Sequence, residues 1–363
     1  MTGGPGPGRL TASDEAAALE ELHRLGCTDG LPVVIPTPDR VGRMVVASGH
    51  DPDLVLGQMG PNLGACTVEK LATAAVMAGC TPDHLPVVMA AARALMDPVF
   101  DLVEVQATTH AIAPLAIVNG PARRACGLHT GFGALGPGHR ANASIGRALR
   151  LAMINVGGGR SGTSDMALLG HPGKFTFCLA EDEEISPFPP LHTSRGLAAE
   201  QSAVTVLGTD GPHSVIGFTD ADDPTSADRL LTSLAAAFAN VGTNNAALGG
   251  GQAAIVLNPD HAAALADVGH TRESIAMTVA ERAANTGAHL TGTAAVPAPV
   301  APERTYRCFE SADDVLVLVA GGGGLYSAVL PSWCGGPHRN RAVTVEIELD
   351  QACEIPGRDP PPA

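Results

Sequence analysis

Residues 113–135 are APLAIVNGPARRACGLHTGFGAL, and residues 252–274 are QAAIVLNPDHAAALADVGHTRES. Both stretches contain, in the same order, an apolar run, an asparagine, a proline, a short helix-forming segment, a glycine and a His-Thr pair. An apolar run that ends in turn residues and leads into a helix is typical of the strand–turn–helix unit of α/β proteins. The repetition raises the hypothesis of two similar halves packed around a shared site. Independent convergence on one local pattern is the alternative.

Segments typical of strands and helices alternate along the rest of the chain. Helical spacing of apolar residues follows candidate N-caps at Ser13 and Thr67, while residues 101–110 and 174–180 have the character of strands. This alternation predicts an α/β fold. We expect a flexible tail at residues 1–12 and an N-terminal α/β half at 13–220. A C-terminal α/β half should follow at 221–352, with a disordered tail at 353–363.

The composition argues against several classes of protein. The chain of 363 residues is 45% apolar but only 3% aromatic, which allows a large core of aliphatic side chains. A net charge of −15 without a basic stripe argues against a nucleic-acid partner. The sequence lacks both an apolar run long enough to span a membrane and the pattern of a signal peptide. We therefore expect a cytoplasmic protein without a membrane partner.

Lysine is rare in this chain, which otherwise uses arginine as its cation. Only Lys70 and Lys174 occur, the second within GHPGKFTFCLAEDEE at 170–184. Guanidinium cannot replace a titratable amine, so a retained lysine favours a chemical role over a surface role. An amine near an apolar strand can have its pKa lowered and act as a base or nucleophile. An ordinary ion pair is the alternative for either lysine.

The same stretch supplies further candidate catalytic groups. In a strand with a side-chain period of two, Lys174, Thr176 and Cys178 would share one face, with Phe175 and Phe177 on the other. A neighbouring lysine would favour the Cys178 thiolate. The alternative is a structural strand whose aromatic face packs and whose acidic turn is solvated. The candidate catalytic residues are Lys174, Cys178, His171, Lys70 and Glu69.

Residues 129–147, HTGFGALGPGHRANASIGR, are the best candidate for binding an anion. A glycine-rich loop can present backbone N–H groups, and the N-terminus of the helix that follows adds the positive end of a dipole. The segment fits neither the Walker pattern nor the dinucleotide fingerprint, so we expect a small carboxylate or phosphate in preference to a nucleotide. A structural loop is the alternative. The candidate binding residues here are His129, Gly136, Gly138, His139, Arg140, Asn142 and Arg147.

Three residues outside this loop are further candidate substrate contacts. His110 follows two threonines at the predicted end of a strand, where sites of α/β proteins often form. Asn245 lies in NVGTNNAALGGGQ, and Ser327 follows the run of four glycines that ends a predicted buried strand. A structural role in a turn or core is the alternative for each. The histidine spacing matches no metal-binding motif, so no metal site is predicted and the cofactor is left open.

Six segments together resemble one family of bacterial proteins. They are DGLPVVIPT (29–37), TVEKLATAAVMAGC (67–80), QATTHAIAPLAIVNGP (106–121), GALGPGHRANASIGRALRL (133–151), GHPGKFTFCLAEDEE (170–184) and LNPDHAAALADVG (257–269). The similarity spans residues 28–345. Members of this family resemble the genomic companions or fusion partners of small (seleno)proteins with a Sec/Cys-Gly-Ser-Cys motif (UGSC-type). This chain contains no Gly-Ser-Cys, so the resemblance implies that a reactive sulfur or selenium belongs to a partner protein.

These observations lead to three hypotheses about function. The first is an enzyme, or the substrate-binding subunit of one, that acts on a small anionic metabolite by lyase or reductive-cleavage chemistry. The second is a non-catalytic partner subunit of a Cys/Sec redox protein. The third is a small-molecule binding protein without catalytic chemistry. We expect the chain to form a homo-oligomer.

Overall fold

The computed structural model describes residues 8–223, 225–293 and 300–349; the tail predicted at 353–363 and most of the one at 1–12 lie outside them. Helices and strands alternate through this part of the chain, which confirms the predicted α/β class. The strands are β1 (Val55–Met59), β2 (Gly64–Thr67), β3 (Ala113–Asn119), β4 (Cys178–Ala180), β5 (Ala203–Thr209), β6 (His213–Ile216), β7 (Ala253–Leu257), β8 (Ala284–Thr286), β9 (Thr305–Arg307), β10 (Val315–Val319), β11 (Tyr326–Leu330) and β12 (Val343–Glu346). The helices are α1 (Glu15–Arg24), α2 (Pro38–Ser48), α3 (Val68–Ala78), α4 (Leu85–Met96), α5 (Leu102–Ala107), α6 (Ala122–Ala125), α7 (Arg140–Asn155), α8 (Leu191–Ser194), α9 (Thr225–Phe238), α10 (Asn244–Leu248), α11 (Pro259–Asp267), α12 (Arg272–Arg282) and α13 (Gly287–Leu290). None of the helices in these ranges is long and apolar enough to cross a membrane.

Two four-stranded mixed sheets form the centre of the protein. In spatial order the first sheet is β12-β5-β3-β4 and the second is β6-β11-β7-β10. In each sheet one neighbouring pair is parallel, β3 with β4 and β7 with β10, and the other pairs are antiparallel. Strand directions therefore follow the same order across both sheets. A shared strand order does not by itself demonstrate two similar halves, so that expectation stays a prediction.

The two sheets exchange their edge strands. Strand β6 follows β5 in the chain but pairs with β11 of the second sheet. Strand β12 follows β11 in the chain but pairs with β5 of the first sheet. The predicted ranges 13–220 and 221–352 thus each contribute one strand to the other four-stranded sheet, and neither range contains all the strands of a four-stranded sheet.

Alternate residues of the central strands face two different cores. Leu115 and Ile117 of β3 pack between the two sheets, together with Leu318 of β10. Ala116 and Val118 face the opposite way, toward a core that includes residues of α3, α4 and α7. The outer face of the second sheet packs on α9, α11 and α12. The period of two in strands buried on both faces therefore produces four layers in the order helix, sheet, sheet, helix.

Side-chain caps fix where several helices begin. Thr67 caps α3 by accepting a hydrogen bond from a main-chain N–H three residues further on, as the sequence predicts. Asp14, rather than the predicted Ser13, caps α1 in the same way. Thr243 caps α10 and so fixes the first turn of that short helix. Two asparagine side chains of this turn belong to the candidate site.

The segment at 101–110, predicted as a strand, contains helix α5 instead. The Asp101 side chain accepts a hydrogen bond from the Glu104 N–H and so caps the helix. Leu102 and Val105 are buried on one helical face. Packing of this face outweighs the β propensity of the branched residues, because propensity is a weak preference that tertiary contacts can override.

The segment at 174–180, predicted as one strand, begins with a turn. Lys174 belongs to a 3₁₀ turn that the His171 side chain caps by accepting a main-chain N–H. Strand pairing as β4 begins only at Cys178. The expectation that Lys174, Thr176 and Cys178 share one strand face is therefore wrong, because the extended conformation starts after the first two of them.

Candidate functional site

The two sheets meet at an antiparallel bridge between Thr209, at the end of β5, and Ser332, just beyond β11. We call this place the sheet junction. The Asp210 N–H strengthens it by donating to the Pro331 carbonyl at 3.0 Å. The junction lies at the edge where β3 and β7 begin. The loops that precede these strands therefore converge on the ends of β5 and β11.

The backbone around the sheet junction adopts conformations that most side chains disfavour. Cys334 and Asn340 have positive φ angles of 58° and 59°. The glycines at 249–251 also have positive φ, and a Cβ on Gly251 would lie 2.5 Å from the Ser332 hydroxyl oxygen. Non-glycine residues in such conformations cost on the order of 1–3 kcal/mol each and concentrate at functional sites. The sheet junction is therefore the leading candidate for a site.

A histidine–aspartate pair lies at the sheet junction. His110 Nε2 is 2.9 Å from a carboxylate oxygen of Asp210, and the two side chains are 24% and 27% exposed. On the other side of the ring, the Asn244 side-chain nitrogen donates both to Nδ1 and to the Trp333 carbonyl. Because that nitrogen is a donor, Nδ1 is the unprotonated acceptor and Nε2 carries the proton toward Asp210. His110 is therefore a neutral imidazole oriented by a carboxylate.

Three buried side-chain atoms at the sheet junction have no hydrogen-bond partner among the residues that the structure describes: His171 Nε2, Thr209 Oγ1 and Asn245 Nδ2. We call them the open polar atoms. Asn245 is tied to the junction because its side-chain oxygen accepts the Ser332 N–H at 2.8 Å. An unsatisfied buried polar group costs about 1–3 kcal/mol, and such groups are rare in folded proteins. Their presence together here adds to the case for the sheet junction as the candidate site.

His171 contributes its open polar atom in a defined protonation state. Its ring packs edge-on against Phe177 with centroids 5.8 Å apart, and Nδ1 accepts the Gly173 N–H at 3.1 Å. The proton of the neutral ring is therefore on Nε2. Burial lowers the pKa of His171, although the nearby Asp210 charge and Thr209 main chain act to raise it. Near neutral pH this side chain is thus an uncharged hydrogen-bond donor.

Lys174 forms a buried ion-pair cluster with Asp165 and Arg150. Lys174 Nζ donates to the two carboxylate oxygens at 2.8 and 3.0 Å, and Arg150 donates to one of them at 2.8 Å. Burial lowers the pKa of Lys174, while the Asp165 partner partly raises it again. A cavity of about 10 Å³ borders Lys174, Arg150 and Gln106, which is room for about one water molecule. In this arrangement the amine is an ion-pair partner rather than a nucleophile open to a metabolite.

Lys70 and Glu69 lie in another part of the structure. Lys70 Nζ donates to the Ala65 carbonyl at 2.8 Å, which ties the start of α3 to β2. The Glu69 N–H donates to the Pro52 carbonyl at 3.0 Å. Within the described ranges, these contacts share no residue with those of Lys174. The geometry therefore argues against one catalytic site that contains both lysines.

Cys178 is a core residue of β4. Its side chain faces the helical layer and is buried among apolar residues. Burial raises the pKa of the thiol to about 12. The thiol therefore stays protonated at neutral pH, which argues against the predicted nucleophilic role.

We expect Cys178 to resist alkylation in the folded protein. Iodoacetamide reacts with the thiolate, and burial both blocks the reagent and raises the thiol pKa. Peptide mass spectrometry should find Cys178 unmodified after native labelling and modified after labelling in denaturant. The half-buried Cys27 serves as an internal control. Native labelling of Cys178 as fast as that of Cys27 would contradict its place in the core.

The glycine-rich segment uses its polar side chains to hold its own conformation. Asn142 is buried, accepts the His129 N–H at 2.9 Å and donates to the His129 carbonyl at 2.9 Å. The rings of His129 and His139 stack with centroids 3.6 Å apart. Gly136 and Gly138 form the turn between them, where Gly138 has a φ of 110°. These contacts favour the structural alternative for the loop.

The two arginines of this segment are also engaged within the protein. Arg140 donates two hydrogen bonds to the Gly79 carbonyl and so caps the C-terminal end of α3. Arg147 donates to both carboxylate oxygens of Asp29 at 2.8 Å. Because these groups already have partners, the geometry at 129–147 argues against the predicted anion site.

Ser327 belongs to a closed chain of hydrogen bonds. Its hydroxyl oxygen accepts the Asn258 N–H at 3.1 Å and lies 2.7 Å from His261 Nδ1. His261 Nε2 bonds the Gly217 carbonyl at 3.0 Å. Ser327 and His261 are both buried, so this chain of bonds fixes α11 on the second sheet. The geometry favours a structural role for Ser327 over substrate binding.

The structure brings three predicted site residues together at the sheet junction: His110, His171 and Asn245. Sequence analysis missed Asp210, the partner of His110, and Asp165, the partner of Lys174. Asp210 begins an Asp-Gly-Pro sequence after β5, and such sequences are typical of turns. Its position directly after a predicted strand was the one signal that could have indicated Asp210. The same signal was misplaced for His110, because 101–110 contains α5 rather than a strand and His110 instead precedes β3.

The function of the sheet junction has to be inferred from its own geometry. The resemblance to the companions of UGSC-type proteins stays a prediction. The chain matches no protein-family model, and neither a curated protein nor a solved structure matches it.

Proposed function

We propose that this protein is an acid–base enzyme of the lyase type that acts on a small anionic metabolite bound at the sheet junction. The observation that carries the proposal is the position of the His110–Asp210 pair beside the open polar atoms. In this proposal the pair moves a proton of a substrate bound beside it. Because about a quarter of each side chain in the pair is exposed, a small molecule can reach it from solvent.

In this proposal His110 acts through Nδ1. This atom accepts a hydrogen bond from the Asn244 amide, which is an uncharged partner that a substrate can displace. The substrate then places its acidic proton within reach of Nδ1, and the Asp210 carboxylate stabilises the imidazolium that forms. The electron pair of the broken C–H bond forms a double bond as the bond to the leaving group breaks. Transfer of the proton from Nδ1 to the leaving group then restores neutral His110.

Lyase chemistry suits these groups better than reductive cleavage. Proton transfer needs only an acid–base pair, whereas a reductive step by this chain would need a reactive thiol. Cys334 follows the sheet junction, but burial raises the pKa of its thiol to about 12. The same holds for Cys178. Both thiols are therefore poor reductants at neutral pH.

A non-catalytic partner subunit is the second candidate function. Leu168 and Leu169, in the loop between Asp165 and His171, are 79% and 94% exposed. Neighbouring exposed apolar side chains are typical of protein-interaction surfaces. A partner protein that carries the reactive sulfur or selenium could cover this surface and complete the sheet junction.

The test of the proposed function is a turnover assay on a mixture of small carboxylic and phosphorylated metabolites. Mass spectrometry follows substrate loss, and NMR in heavy water follows deuterium incorporation next to the cleaved bond. Glutamine at position 110 retains hydrogen-bonding capacity but cannot take up the proton. We expect His110→Gln to reduce turnover by at least about 100-fold, the lower range for loss of a general base.

His50→Gln is the matched control, because His50 lies at the end of α2 in the outer helical layer. It should retain wild-type turnover. Equal turnover in His110→Gln and the wild type would overturn the proposed function. Ligand binding without turnover by the wild type would also overturn it and would favour a binding protein. Turnover that requires an added Cys/Sec protein would favour the partner-subunit function.

A further inference from the structure

We infer that this protein binds a small primary amine with an aliphatic chain in an open groove formed by the β1–β2 hairpin, the end of α4 and the start of α5. We call it the hairpin groove, and its lining residues come from the ranges 58–63, 95–98 and 101–103. Its volume of about 460 Å³ is within the usual range for small-molecule sites. None of the residues described at the sheet junction lines it, so the inference goes beyond the proposed function and does not rest on it.

The first argument is the apolar wall of the hairpin groove. Leu95 and Leu102 are buried and form part of this wall. Leu63 and Val103 also line the groove, although they are 54% and 39% exposed. Removal of apolar surface from water is favourable. The aliphatic part of a ligand would therefore be stabilised by covering these two side chains.

The second argument is the negative charge of the hairpin groove. Asp97 and Asp101 line it, and neither forms an ion pair within the part of the chain that the structure describes. One Asp97 oxygen accepts the Val99 N–H at 2.8 Å. The other Asp97 oxygen has no partner among the described residues and is not enclosed by protein, so a ligand can reach it. Asp101 caps α5 with one oxygen, and its other oxygen is enclosed, so this residue contributes charge rather than a contact.

The third argument is the position of the end of α4. The last residues of this 12-residue helix, Leu95 and Met96, line the hairpin groove. The C-terminal end of a helix carries the negative end of its dipole and favours a nearby cation. None of the described residues that line the groove is positively charged. The helix end and the Asp97 carboxylate therefore act in the same direction, toward binding of a cation.

The composition of the wall selects the kind of cation. No aromatic side chain is among the described lining residues, which disfavours a quaternary ammonium group, since proteins bind such groups in aromatic cages. Calcium needs six to eight oxygen ligands, more than the accessible Asp97 oxygen and the exposed Gln58 side chain supply. A primary ammonium group has three N–H donors, which these carboxylate and amide oxygens can accept. Its aliphatic chain would then lie along Leu63 and Val103.

The test is a methyl NMR titration of the full chain with hexylamine, 1-hexanol and hexanoate as separate ligands. These ligands share one aliphatic chain and differ in charge. We expect hexylamine, which is protonated at neutral pH, to bind at least about 10-fold more tightly than hexanol, because charge-assisted hydrogen bonds are stronger than neutral ones. Hexanoate should bind more weakly than hexanol, since the carboxylates repel it. The methyl signals of Leu63 and Val103 should shift.

Asp97→Asn removes the charge but keeps the oxygen that accepts the Val99 N–H. We expect it to weaken hexylamine binding by about 10-fold and to leave hexanol binding unchanged. Asp220→Asn is the matched control, because an Asp220 oxygen accepts the Asp222 N–H at 2.9 Å in a similar turn before α9, away from the groove. This control should bind hexylamine as the wild type does.

Val103→Lys is a second variant that guards against a folding defect. Val103 is exposed on α5, and lysine is a good helix former, so this variant should fold normally. Its ammonium group would lie beside the carboxylates of the hairpin groove and compete with the ligand. We expect it to abolish hexylamine binding.

Hexanol binding as tight as that of hexylamine would overturn the inference. So would the absence of hexylamine binding, or wild-type hexylamine affinity in both Asp97→Asn and Val103→Lys. The proposed function is tested separately, because His110 does not line the groove. His110→Gln should therefore bind hexylamine normally, whether or not it loses turnover.

Discussion

Replacing Glu181 by glutamine lowers the free energy of unfolding by about 3–5 kcal/mol, the range for breaking a buried ion pair. The Glu181 side chain is fully buried at the end of β4, where its carboxylate accepts hydrogen bonds from Arg272 and from the Leu191 N–H, each at 2.7 Å. Asn119 donates to the same carboxylate at 2.6 Å. Glutamine preserves the shape but leaves the buried Arg272 guanidinium without its opposite charge. Urea unfolding, followed by circular dichroism, measures the loss.

An exposed ion pair provides the control for this first prediction. Glu310 lies 3.2 Å from Arg339, and both side chains are about half exposed. Glu310→Gln should change the unfolding free energy by less than about 1 kcal/mol. The double variant of Glu181→Gln with Arg272→Met should recover much of the loss, since it removes the uncompensated charge. A loss below 1 kcal/mol for Glu181→Gln alone would show that water reaches the pair.

The second large effect is expected for Asp165→Asn at neutral pH. This substitution leaves the Lys174 ammonium and the Arg150 guanidinium, each 13% exposed, facing each other without the carboxylate between them. We expect a loss of about 3 kcal/mol in unfolding free energy, because two like charges then share a buried site. Addition of Lys174→Met should restore part of the stability. A wild-type unfolding midpoint in Asp165→Asn would mean that the ion-pair cluster contributes nothing.

The pH dependence of stability provides an independent check on Asp165. Burial raises the pKa of this carboxyl group, but hydrogen bonds and charges from Lys174 and Arg150 outweigh burial, and the pKa falls below its ordinary value of 3.8. A carboxylate with a lowered pKa stabilises the fold fully above its unfolded pKa and loses that contribution as pH falls through the folded value. The difference in stability between the wild type and Asp165→Asn should therefore shrink below about pH 4. A constant difference down to about pH 2 would contradict the lowered pKa.

Several elements could be predicted from the sequence because local signals and packing agree in them. Strands β3, β7 and β10 are apolar runs bounded by turn residues, and helix α3 combines a Thr67 cap with regular apolar spacing. The segment at 101–110 could not be predicted in this way, since a buried helical face overrides its β propensity. Local sequence patterns also cannot predict which sheet β6 and β12 join. Each strand has four residues, and its partner is distant in sequence.

The candidate site was only partly visible in the sequence for a related reason. His110 lies in the connection before β3, and Asn245 lies just before the glycines at 249–251. Such connections are positions where sites form. The scarcity of lysine drew attention to Lys174 and favoured a chemical role, whereas the structure favours the ion-pair alternative. The partner Asp165 lies in a loop without any periodic signal. The Gly-rich segment has the composition of an anion-binding loop, yet its polar groups are used for packing. Composition alone cannot separate these two uses, because both require the same residue types.

The exchange of edge strands between the sheets has a consequence for how the protein is made. Strand β5 receives its outer neighbour only when β12 has left the ribosome, more than a hundred residues later. Until then the nascent first sheet presents an unpaired edge, which can recruit foreign strands or a chaperone. Pairings between such distant segments also form slowly. Synthesis of β12 is therefore the event that closes the first sheet and protects its edge.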